Sequence, residues 1–146
     1  MAKKKPLKTF STKGEGEVRE NILEFWLKNS VDKENGGFYG AIENDLSIKN
    51  KADKSLVLNS RILWAFSAAY KKYGEDKFLD LARRAYDYLL DYFWDDKFSG
   101  FYWLVDYQGT PVNRKKQIYG QAFCIYALTE YYQRLLRLHS NTLKKN

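Results

Sequence analysis

A tripeptide that returns after 63 residues constrains this chain more than any other feature. Gly37-Phe38-Tyr39 recurs as Gly100-Phe101-Tyr102. Each copy follows an aromatic pair and a turn, Phe25-Trp26 in the first case and Phe93-Trp94 in the second. Each then leads through a polar, lysine-containing stretch into an aromatic-rich segment, Arg61 to Tyr70 and Gln121 to Leu128. One triplet could be chance, but the same elements in the same order mark an internal repeat of helix, β-hairpin and helix.

The residues between these landmarks set the elements. Acids at Glu15, Glu17 and Glu20 before the apolar Ile22 to Leu27 predict a helix over 15–29, with negative charge at its positive end. Asp32 to Gly37 is a turn cluster. Phe38 to Ile42, followed by Glu43-Asn44-Asp45, reads as a strand or hairpin. Helices are expected over 54–73, 77–94 and 114–137, with a second strand at Phe101 to Val105 and a turn at Gln108-Gly109. The 77–94 helix carries Asp80, Arg84, Asp87 and Asp91 along one solvated side, whereas the 54–73 helix has Arg61 as its only charge between Ser55 and Tyr70. Half-exposed helices alternating with enclosed ones predict an all-α fold, a partial α/α toroid of two helical pairs with short β-hairpin loops. Repeats of this kind bury their faces only against neighbours, and six units of roughly 60 residues would need about 360.

The excess of basic charge lies away from this body. The net charge is +7, but nine of the 25 Lys and Arg lie in residues 1–13 and 134–146, leaving 16 against 18 acids between. A nucleic-acid binder carries its positive charge on a structured face, so none is expected as a partner. The longest apolar run, Ile62 to Tyr70, is far below the roughly 20 residues that span a bilayer, so no membrane association is expected. A lone Cys124 and no readable secretory leader predict a cytoplasmic protein. The organisation expected is a basic tail over 1–14, two repeat units over 15–133 and a basic tail over 134–146.

Asn35 to Gly40, Leu56 to Tyr70 and Lys116 to Phe123 together resemble the cellobiose 2-epimerases of the N-acylglucosamine 2-epimerase superfamily. The resemblance covers about residues 20–133. It implies an (α/α)6 barrel of which this chain is the N-terminal third. It also implies epimerisation at C2 of a reducing-end sugar, cellobiose to glucosyl-mannose, through an enediolate, with two histidines as acid and base and no cofactor. The motif arginine falls on Arg61, where a fixed guanidinium binds sugar oxygens, and the motif tyrosine on Tyr119. Trp64, one turn beyond Arg61, shares its face. The catalytic histidines have no counterpart: the single histidine, His139, matches no family motif, and the basic end after Tyr132 lacks the turn that starts another helical pair. No catalytic residue is therefore assigned, and the chain alone is expected to be a shortened, inactive epimerase.

Two other readings come from the residues themselves. Exposed inner helices would make a non-catalytic module that binds carbohydrate or associates with itself. Glu43 and Asp45, with Asp95 and Asp96, supply the carboxylates a glycosidase needs, although Asp95-Asp96 at a helix end reads more simply as a solvated turn. Trp26, Trp94 and Trp103 are taken as structural and Cys124 as a buried, inert thiol. No metal-ligand spacing is present.

Overall fold

The computed structural model describes residues 12–143, with side chains to residue 133; the rest of both basic tails and the side chain of His139 lie outside the described residues. The chain divides after Val31. In the first unit a helix, α1, winds with π geometry over Glu17–Leu23 and continues as an α-helix over Glu24–Asn29. Ser30 donates its backbone N–H to the Trp26 carbonyl, 3.0 Å, and Phe25 meets Trp26 edge-on.

The second unit holds three helices. α2 spans Leu56–Tyr73, α3 spans Asp76–Tyr88 and ends in a π turn at Leu89–Phe93, and α4 spans Ile118–Leu143. α2 starts where Ser55 Oγ accepts from the Leu58 N–H and stops at Gly74, whose φ of 69° is the left-handed helix stop. It packs against both α3 and α4. The buried side chains include Phe38, Leu56, Leu63, Phe66, Phe78, Leu89, Phe93 and Val105. Tyr86 of α3 stacks on Tyr131 of α4, 4.8 Å between centroids.

A small antiparallel sheet joins the two repeats. β1, Lys54–Ser55, pairs with β2, Leu104–Val105, and β2 pairs with β3, Pro111–Asn113. The second hairpin exists, although its first strand is Leu104–Val105 rather than the expected Phe101 to Val105. Its turn is held by the Asp106 carboxylate, which accepts from the backbone N–H groups of Gln108 and Thr110. The first is shorter than expected: Phe38 to Ile42 forms no strand, and isolated bridges, Ile42 with Ile48 among them, replace the ladder. Gly40 explains the close course of this loop, because a Cβ there would lie 2.1 Å from the Asp53 carbonyl oxygen.

Both loops are built around a carboxylate that receives backbone N–H groups and a lysine. Asp32 accepts from the Glu34 and Asn35 amides, and Asp95 from those of Lys97 and Phe98. Lys54 Nζ lies 2.8 Å from Asp32 and donates also to the Gly36 carbonyl; Lys116 Nζ lies 2.6 Å from Asp95. Asp95 is therefore a buried, paired structural anion, which corrects the solvated-turn expectation; Asp96 is exposed. Arg84 is corrected too. It turns inward from the charged side of α3, donating to the backbone carbonyls of Gly37 and Asp32.

Candidate functional site

Between Leu56 and Tyr70 every residue of α2 is buried or half-buried except Arg61. Its guanidinium makes no hydrogen bond or ion pair among the described residues. The expectation of an enclosed charge is thus corrected: Arg61 emerges at the surface and bears no desolvation cost there. One turn further, half-buried Trp64 stacks on Tyr126 of α4, with centroids 5.3 Å apart and planes 17° from parallel. Tyr119, 61% exposed, sets its ring edgewise on Phe123 at 4.9 Å. Tyr119 and Tyr126 are seven residues apart and so share a side of α4.

The helices α2 and α4 thus carry an exposed guanidinium, an exposed phenol and a stacked aromatic pair. Trp64 is joined to α4 through Tyr126, whereas Arg61 and Tyr119 share no hydrogen bond or ring contact. A planar guanidinium with five donors suits a polyhydroxylated ligand, and aromatic faces suit its apolar ring surface. Gly120 lets the helices approach here, since a Cβ would lie 2.8 Å from Leu56 Cδ2 and 3.0 Å from the Trp103 ring. The sequence reading missed Tyr126. Its signal was present: Lys54 and Lys116 fill matching places in the repeat, and the same 62-residue offset carries Trp64 onto Tyr126.

The remaining candidates hold structure. Glu43 pairs with Lys49 at 3.8 Å, and Asp45 accepts from the Ser47 amide within the same turn. Cys124 is fully buried 3.0 Å from Ser60 Oγ, and burial pushes its thiol up to about 11, so little nucleophilic thiolate forms at neutral pH. Trp94 packs edgewise on Phe101, 5.1 Å between centroids. Among the described residues no group of three His, Cys, Asp or Glu could hold a metal ion, and no helix is long and apolar enough to cross a membrane.

Comparison with known proteins gives the family of the chain. A cellobiose 2-epimerase from Bacteroides fragilis is 45% identical over 117 residues, and one from Eubacterium cellulosolvens 47% identical over 118; each alignment covers 80% of this chain. The solved structure of cellobiose 2-epimerase from Bacillus thermoamylovorans B4167 superposes with a TM-score of 0.83 at 44% identity, covering 86% of this chain and 32% of that one. The chain spans about 30% of the length of these relatives. Residues 37–145 match the sequence profile of N-acylglucosamine 2-epimerase (GlcNAc 2-epimerase), and the chain belongs to that family.

Proposed function

We propose that these residues form two helical pairs of an (α/α)6 barrel and supply part of the sugar-binding surface of a cytoplasmic cellobiose 2-epimerase. The tails at 1–14 and 134–146 flank the two units at 15–133. In this reading Arg61 binds hydroxyl and enediolate oxygens of the reducing-end glucose, Tyr119 donates to the sugar, and Trp64 lines the ring with Tyr126. Acid and base histidines come from outside this surface, and no cofactor takes part. The observation that carries the reading is an unpaired, exposed arginine on a helix whose other residues between Leu56 and Tyr70 are buried or half-buried, in a chain 45% identical over 117 residues to a cellobiose 2-epimerase.

Titration with cellobiose, followed by calorimetry, tests it. Weak binding that Arg61→Ala abolishes, with an unchanged melting temperature, is the expected result; undiminished affinity in that variant would sink the role of Arg61. Sugar turnover by the 146 residues alone is expected to be absent, because the reading needs two histidines and the sequence has one, His139, which matches no family motif.

A second reading, a non-catalytic module that associates through its inner helices, is favoured by α4. Ile118, Ile125 and Tyr132 are all exposed at heptad spacing along it. Light scattering across a range of concentrations separates the two: this reading expects a growing oligomer, and the barrel reading alone does not require one.

A further inference from the structure

The two loops have the same core and different rims. With Asp32 set on Asp95, Glu34 corresponds to Lys97 and Asn35 to Phe98; with Lys54 set on Lys116, Ala52 corresponds to Arg114. The first loop closes its Asp–Lys pair completely, showing that the turn needs neither cations nor an aromatic at those places. In the second loop the replacements surround an open pocket of about 350 Å³ lined by Asp95, Lys97, Phe98, Tyr102, Arg114 and Lys116. Arg114 lies over the Tyr102 ring at 5.6 Å, and Lys97 and Lys116 over Phe98 at 5.1 and 5.6 Å. Three cations face one carboxylate, which Lys116 already occupies. Neither Arg114 nor Lys97 has a carboxylate partner among the described residues.

We infer that this pocket binds the phosphate or carboxylate group of a small molecule. The volume falls within the range of small-ligand sites. A guanidinium lying over the Tyr102 ring, with no carboxylate partner, has N–H donors for the two oxygens of an oxyanion, and Lys97 adds a second positive charge. Lys116 stays on Asp95 and serves as a wall. The inference uses neither Arg61 nor Tyr119, so it stands or falls separately from the epimerase reading.

The test is an amide chemical-shift titration of the full chain at low ionic strength with inorganic phosphate, glucose 6-phosphate, glucuronate and glucose. The three anions are expected to move the amides of Lys97, Phe98 and Arg114, with glucose silent and the shifts suppressed by added salt. Stronger binding of either sugar acid than of inorganic phosphate identifies which group the pocket takes on a ring. Arg114→Ala is expected to weaken binding about tenfold. The combined replacement Lys97→Glu, Phe98→Asn and Arg114→Ala, which copies the first loop, is expected to abolish it while retaining the helical circular dichroism spectrum. Shifts confined to other lysines, equal shifts with glucose, or anion binding that survives the loop copy would each overturn the inference.

Discussion

The Asp32–Lys54 and Asp95–Lys116 pairs are one device used at two depths. In the first loop the lysine and aspartate side chains are 1% and 0% exposed; in the second, 27% and 7%. Lys54 is enclosed further by the Gly36 carbonyl and by the Tyr88 ring, 5.1 Å below its ammonium. Burial by itself would raise the Asp32 carboxyl, but Lys54 and the Asn35 and Glu34 amides outweigh it and hold the group below the usual carboxylate value. The same motif can thus seal a core or leave a cation at a pocket wall, depending on what covers it.

The sharpest way to break this comparison is to delete each lysine. Lys54→Met leaves Asp32 without its cation in a dry site, and removing one partner of a buried pair costs about 3–5 kcal/mol. Lys116→Met strands a carboxylate that water can still approach, so a clearly smaller loss is expected. Urea unfolding of both variants checks the order. Equal losses would mean that exposure does not separate the loops. Adding Asp32→Asn to Lys54→Met is expected to restore part of the stability, since the uncompensated charge disappears.

The same offset sharpens the comparison between α2 and α4. Leu63 is fully buried, and its counterpart Ile125 is 66% exposed. Leu63→Ala is expected to cost about 2–5 kcal/mol by opening a cavity. Ile125→Ala should stay within about 0.5 kcal/mol, as surface changes usually do. Thermal melts of the two variants measure the difference. A large loss at Ile125 would show that its face is covered in solution, and its dependence on protein concentration would identify a second copy as the cover.

The helices and their order were legible because apolar spacing and capping residues are local signals. The expected helix over 54–73 starts two residues later, at Leu56, because Lys54 and Ser55 pair as β1 and Ser55 becomes the cap. The first hairpin was overread, since alternating residues at Phe38 to Ile42 do not reveal that Gly40 presses against the Asp53 carbonyl. Arg84 looked solvated because helical spacing places it among acids, but loop carbonyls from about 50 residues away draw it inward. Lys54 illustrates the same limit: a lysine is rarely fully buried, and only its partner, 22 residues earlier, makes burial tolerable. Arg61 stood out as the one charge in an apolar stretch and as the position of the family's motif arginine, whereas Tyr126 required counting through the repeat.

Acid gives the smallest and most specific test of the two pairs. The hydrogen bond from Lys116 is the leading cause that brings the Asp95 carboxyl down to about 2, against an ordinary value of 3.8. A carboxyl depressed in the folded state contributes stability that is complete above its unfolded value and fades as pH falls through the folded one. The window is therefore from about pH 4 down to about pH 2. Without Lys116 the group moves back toward its ordinary value, so the stability gap between the parent chain and Lys116→Met should narrow across that window. Urea unfolding at stepped pH measures the gap. The Asp32–Lys54 pair is unchanged in both proteins, so its own loss in acid cancels from the difference. A gap that stays constant to pH 2 would mean that the Lys116 ammonium stabilises the loop by packing on Phe98 rather than through the Asp95 charge.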